Sequence, residues 1–188
     1  MELTNTNATV GNYSRIFFND TVGGAVSAII GAKTVDHDNN YGDLEFWTRG
    51  AADAATRMVI ADSGRVTVKK SSNSEVAALT DAADLGTIAV DFDLANNFSL
   101  TIDGTEATRE LGNPSNLTAG QSGCIVITQD STGGGLLTYG DQWQFEGSDA
   151  RVLSTAADAV DNLVYYVAND GSGTEAIHAV LLKNFLTT

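Results

Sequence analysis

Ile88-Ala-Val-Asp-Phe-Asp-Leu-Ala-Asn-Asn-Phe-Ser-Leu-Thr-Ile102 decides the fold class. Ile88, Val90, Phe92 and Leu94 alternate with small or acidic residues, and Phe98, Leu100 and Ile102 alternate with Ser99, Thr101 and Asp103. A period of two places alternate side chains on opposite faces of an extended chain, so both halves read as strands with one wet face. Asn96-Asn97 between them suits a tight hairpin, because Asn tolerates positive φ. No window of ten or more residues carries a helical apolar stripe. The Ala-rich pieces, Ala51 to Ala55 and Thr155 to Ala159, are short, flanked by turn residues, and predict single helical turns at most.

The pattern extends outward on both sides. Strands are predicted near Tyr13–Asn19, Val26–Val35, Asp43–Arg49, Arg57–Ala61 and Arg65–Lys69, the last two joined as a hairpin by Asp62-Ser63-Gly64. In that hairpin Met58 and Ile60 share a face with Val66 and Val68, with Arg57 and Arg65 on the other. Lys69-Lys-Ser-Ser-Asn-Ser74 is polar and reads as a linker, giving an N-terminal β domain over 1–70 and a C-terminal β-sandwich domain over 75–188. In the second domain strands are predicted near Glu75–Leu79, Gly86–Asp93, Phe98–Ile102, Cys124–Gln129, Leu136–Tyr139, Val160–Ala168 and Ala176–Phe185. Turns fall at Gly112-Asn-Pro114, Gly133-Gly-Gly135 and Asn169-Asp-Gly-Ser-Gly173, the last closing a long terminal hairpin. The class is all-β, an antiparallel sandwich or jelly-roll-like arrangement. Nineteen Gly against one Pro, and 43% apolar residues in 188, agree with short strands, tight turns and a buried core.

Charge and composition narrow the function. Ten Lys and Arg against 24 Asp and Glu leave a net charge of -14, which repels nucleic-acid phosphates. The apolar runs are only a few residues long, so no helical membrane span is expected, and the first residues carry no signal-peptide pattern. The Asn-x-Ser/Thr triplets at Asn7, Asn12, Asn19, Asn97 and Asn116 read as chance in a chain this rich in those residues. Cys124 is the only cysteine, which excludes an intrachain disulfide and a thiolate metal cluster, and its apolar surroundings read as a buried small hydrophobe.

Candidate catalytic and metal patterns fail on spacing. Gly120-Gln-Ser-Gly123 lacks the spacing of a nucleophile elbow and reads as a turn. His37 and His178 are far apart and have no local nucleophile. Asp36, Asp38 and Asn40 imitate the start of a calcium loop, but Tyr41 stands at the required Gly and Trp47 at the closing Glu. An acidic loop is therefore preferred to an ion site there. Asp91 and Asp93, two apart on one strand face, read as solvated acids. Gly133-Gly-Gly135 and Gly171-Ser-Gly173 lack the helix and Lys of a phosphate loop. Trp143, Phe145, Tyr165 and Tyr166 are expected in a core or an oligomer seam, with Tyr165 and Tyr166 facing opposite sides of their strand. No catalytic residue, metal ligand, cofactor or cofactor-binding residue is assigned, and which residues bind a receptor or partner is left open.

Two stretches resemble proteins of tailed-phage particles. Thr56-Arg-Met-Val-Ile-Ala-Asp-Ser-Gly-Arg-Val-Thr-Val68 resembles the Arg-Met-x-Ile-x-x-x-Gly-x-Val hairpin of tail-fibre proteins, where it follows patterns like Arg15-Ile-Phe-Phe-Asn19 and Leu44-Glu-Phe-Trp-Thr48. Leu111-Gly-Asn-Pro-Ser-Asn-Leu-Thr-Ala-Gly-Gln-Ser-Gly123, then Ile125-Val-Ile-Thr-Gln-Asp130, Leu137-Thr-Tyr-Gly140, Trp143-Gln-Phe145, Leu153-Ser-Thr-Ala156, Ala159 to Val167 and Leu182-Lys-Asn-Phe185, is similar to a recurring β-rich phage fibre module. The resemblance implies a non-enzymatic virion surface protein, a fibre or tip module contributing to host adsorption. The alternative is a capsid decoration protein bound to the major capsid protein, favoured by a start at Met1 with no coiled-coil or tail-attachment segment. It further implies a homotrimer whose partners are other virion proteins (tail or major capsid protein) and a host surface glycan or protein. The Gly-Ile-Gly-Thr repeat and self-cleaving chaperone of such fibres have no counterpart here, so no autoproteolysis is carried over. A polysaccharide-degrading enzyme would need a long β-helix repeat or a placed acid pair, and neither is read from the sequence.

Overall fold

The computed structural model describes residues 3, 5–7, 9–19, 26–50, 54–105, 108–147, 151–169 and 175–185. Among them there is no helix, and the chain forms two compact units, residues 1–73 and 74–188.

The first unit is one five-stranded antiparallel meander: β1 (Tyr13–Asn19), β2 (Val26–Asp36), β3 (Tyr41–Arg49), β4 (Ala54–Ile60) and β5 (Val66–Val68), in sheet order β1-β2-β3-β4-β5. The Asp62-Ser63-Gly64 turn joins β4 to β5, with Met58 opposite Val68 and Ile60 opposite Val66. Gly64 takes φ +81°, the left-handed position the turn needs. Ala54 and Ala55 open β4, where the sequence allowed a single helical turn at most; the rest of that Ala-rich piece, residues 51–53, lies outside the described residues. Arg57 sits at a bulge, because Met58 pairs with Phe46 while Thr56 pairs with Trp47. Its Nε donates to Thr48 Oγ1 at 2.9 Å, which brings the guanidinium to the face that carries Thr48, Phe46 and Met58 and corrects the expectation that Arg57 lies opposite Met58.

The second unit is a sandwich of two sheets around one core. β6 (Val76–Ala78), β8 (Asn97–Ile102), β10 (Ser122–Gln129), β13 (Val160–Asn169), β14 (Glu175–Phe185) and β12 (Trp143–Phe145) form a six-stranded sheet in the order β12-β14-β13-β10-β8-β6. β7 (Thr87–Ile88), β9 (Thr108–Leu111) and β11 (Leu136–Tyr139) form the three-stranded sheet β11-β9-β7. From β6 to β11 each successive strand crosses to the other sheet. Sequence neighbours are therefore never sheet neighbours there, and β6, β8 and β10 run parallel to one another, as do β7, β9 and β11. The unit closes with the antiparallel hairpin β13–β14, whose connecting residues 170–174 lie outside the described residues.

This winding corrects the hairpin expected at Asn96-Asn97. Ile88, Val90 and Phe92 are buried at 2% exposure or less, as the alternation implied, but only Thr87–Ile88 is strand, and it pairs with β9 in the three-stranded sheet while Phe98–Ile102 lies in the other sheet. Leu94 is 65% exposed, at the end of a turn whose first residue, Asp91, caps the Asp93 N–H at 3.0 Å. Phe92 ends instead in an aromatic cluster: it stacks on Tyr165 at 4.7 Å and on Phe98 at 5.8 Å, and Trp143 meets both Phe92 and Tyr165 edge-on. Trp143 Nε1 donates to the Gly112 carbonyl at 2.9 Å, which satisfies the one polar atom that this ring takes into the core.

Candidate interaction surface

Asp36 and Asp91, two of the acids singled out in the sequence, hold turns together. Asp36 Oδ1 accepts the N–H groups of Asp38 and Asn39, and Oδ2 accepts Asn39 Nδ2 at 2.9 Å. The Asn39 bonds, foremost, hold its carboxyl below the usual range. Asn40 follows at φ +57°, so the acidic loop is an Asx turn closing β2 onto β3. Asp91 accepts Asn116 Nδ2 at 2.8 Å, which lowers its carboxyl in the same way. His37 is exposed in the β2–β3 turn; His178 is exposed on β14, opposite Tyr166. No group of three His, Cys, Asp or Glu able to hold a metal occurs among the described residues. Gly120 turns at φ +92° ahead of β10, and Gly133 and Gly134 turn at +70° and +95° ahead of β11. Residues 171–173 lie outside the described residues.

Cys124 departs from its expected burial. β10 sends Ile125 and Ile127 into the core, so Cys124 and Val126 point the other way, and Cys124 is half-buried. Tyr165 and Tyr166 divide as expected, at 2% and 51% exposure. Burial pushes the Tyr165 phenol up to about 12, and its hydroxyl donates to the Asn96 carbonyl at 2.6 Å. A proton held more tightly in the folded state than in the unfolded one stabilises the fold below the ordinary tyrosine pKa near 10, and that stabilisation is lost as pH rises toward 12. Denaturant melts should thus show stability falling from about pH 10 to 12. The fall should be shallower in Tyr165→Phe; an identical slope in the variant contradicts the assignment.

The sequence reading missed one internal centre. Arg109, on β9, is fully buried, its Nε 2.6 Å from Asp81 Oδ1, with further bonds to the carbonyls of Ala82 and Asp103. Asp81 in turn accepts the N–H groups of Ala82 and Asp103. The cluster ties two loops to β9 and is enclosed, so its role is structural. Thr108-Arg-Glu-Leu111 gave no apolar alternation from which to predict its strand.

What the molecule offers outward is sheet surface. In the first unit, cross-strand pairing sets side chains in transverse rows on one face. The middle row runs Ile16, Ile30, Phe46, Met58, Val68, one residue from each strand and every one apolar. The row on one side is Ser14, Ala32, Leu44, Ile60, Val66; on the other side stand Phe18, Ala28 and Thr48. None of these is ionisable. Phe18 is 48% exposed, Val66 54% and Val68 50%.

The opposite face is built differently. There Arg15 lies over the rings of Tyr13 (3.9 Å) and Trp47 (5.3 Å), above buried Ile29 and Glu45. Gly31 leaves room for that stack, since a Cβ there would meet Arg15 Cγ at 2.9 Å and the Trp47 ring at 3.1 Å.

The outer face of the second unit's large sheet is mixed. Its rows read Val180, Val164, Cys124, Asn97, Val76 and Leu182, Asn162, Val126, Ser99, Ala78, with polar groups breaking the apolar ones. At its edge a shallow cleft of about 300 Å³ is lined by Phe145, Arg151, Leu181 and Lys183 among others, with Arg151 stacked on Phe145 at 4.6 Å.

No protein-family model, no curated protein and no solved structure matches this chain.

Proposed function

We propose that this chain is a non-enzymatic structural protein of a tailed-phage particle, displayed on the virion surface as a fibre or tip module that contributes to host adsorption. The observation that carries the reading is the apolar face of the first unit, with an apolar row across all five strands and both end residues exposed. An apolar patch spanning a whole sheet is costly in water and is the mark of a subunit built for assembly. The resemblance of residues 56–68 and 111–185 to phage fibre modules supports the kind of assembly. The Arg-Met-x-Ile-x-x-x-Gly-x-Val hairpin is itself β4–β5, which supplies Met58, Ile60, Val66 and Val68 to that face. The subunit associates with itself, as a homotrimer, and its other partners are neighbouring virion proteins and a host surface glycan or protein. A charge of -14 spread over the rest of the molecule suits a part displayed in many copies.

Antibody raised against the purified chain, applied to intact particles of a phage that encodes it, tests the proposal. Labelling at fibres or tips is the expected result. Labelling over the head surface would move the chain to the capsid-decoration role, and particles free of the antigen would end the virion reading.

A further inference from the structure

We infer that the apolar face of the first unit is the seam between copies of this chain, and that its occupant is the same face of neighbouring subunits. The inference deepens the self-association proposed above by naming the surface that carries it. Five strands at about 4.8 Å spacing, with roughly six residues of about 3.4 Å each, cover on the order of 500 Å² of sheet plane. That is near the upper end of the largest apolar patch on ordinary monomers, about 300–600 Å². It also approaches the roughly 800 Å² per partner of a stable specific interface, the remainder being within reach of the rim.

Charge selects the occupant. Each copy carries -14, so copies repel unless they meet where little like charge is buried; no residue of the three rows is ionisable, and the charge that reaches this face through Thr48 is a cation, Arg57. Its polar members lie outside the middle row, Ser14 on the edge strand β1 and Thr48 near the end of the central strand β3, where Arg57 is bonded to it; an apolar centre with polar groups around it is the anatomy of a protein seam. Relief also favours a like surface. The small residues Ala28 and Ala32 on β2 flank Ile30, with Phe18 beside Ala28 and Leu44 beside Ala32, so a ridge such as Phe18 on one copy can seat against the low ground of the next. The outer face of the second unit lacks these properties, because Asn97, Ser99 and Asn162 interrupt it.

Sedimentation of the full chain carrying Phe18→Asp and Val68→Asp tests the seam. Both residues are about half exposed on the two edge strands, so the substitutions leave the sheet's own pairing intact. The expected result is loss of the oligomer to single chains with unchanged circular dichroism, while Val164→Asp, on the second unit, leaves the oligomer whole. An oligomer that survives Phe18→Asp/Val68→Asp, or one that Val164→Asp dissolves instead, overturns the seam and spares self-association. A wild-type chain that is monomeric throughout removes self-association itself. Should the double variant unfold, hydrogen exchange of the wild type at two concentrations decides. Amide protection of β1–β5 rising with concentration supports the seam, and a rise confined to the second unit overturns it.

Discussion

Arg109→Met is expected to lower the thermal midpoint of the second unit by about 10 °C or more. The methionine fills much of the volume, so packing is not the main loss. Removing the guanidinium takes the counter-ion from the Asp81 carboxylate, whose side chain is 19% exposed and which keeps only its two backbone N–H donors, and takes a donor from the carbonyls of Ala82 and Asp103. Stripping one partner from a buried, hydrogen-bonded ion pair costs about 3–5 kcal/mol. Arg109→Lys should recover only part, because one ammonium cannot reproduce the fork that reaches Asp81 and two carbonyls at once. A near-wild-type midpoint for Arg109→Met, measured by near-UV circular dichroism, would show that the cluster does not hold the sandwich together.

Gly123→Ala is the second large effect, and its cause is space alone. A Cβ at Gly123 would overlap the Asn96 carbonyl oxygen and stand 2.8 Å from the Tyr165 hydroxyl, the two groups that bond each other at 2.6 Å. The obstructing atom is backbone, held where β8 begins beside β10, so it cannot swing away as a side-chain tip would. Overpacking costs about 1–3 kcal/mol where neighbours can shift, and here the expected loss is about 3 kcal/mol or more. Gly120→Ala and Gly64→Ala serve as controls. Both have left-handed φ and open space around the added carbon, so each should lose only about 1 kcal/mol from backbone strain. Equal losses at all three positions would contradict the packing account of Gly123.

Alternation in the sequence reported burial faithfully and pairing poorly, and Ile88 to Ile102 shows why. A period of two states which side chains leave water, and Ile88, Val90, Phe92, Phe98, Leu100 and Ile102 all do. It does not state which strand lies alongside, because that is settled by partners far away in the chain: Leu111 for Ile88, and Ile125 for Phe98. Where partners are close in sequence, as in β4–β5 and β13–β14, turn residues gave the pairing directly. The all-β, sandwich-like class was legible for the same reason, since it depends on burial and turns rather than on strand order. Arg109 was not legible, because a buried ion pair between residues 81 and 109 leaves no periodic trace. The apolar face was half legible: the sequence placed Met58, Ile60, Val66 and Val68 together, and only the register of β1 to β3 adds Ile16, Ile30 and Phe46 to complete the row.

The mass of the full chain in solution tests the central claim most directly. An assembly subunit whose exposed face seeks its own copies should sediment at three times the 19.6 kDa of one chain, unchanged over a tenfold dilution at micromolar concentration and in both low and high salt. A steady 19.6 kDa under all of those conditions would contradict it.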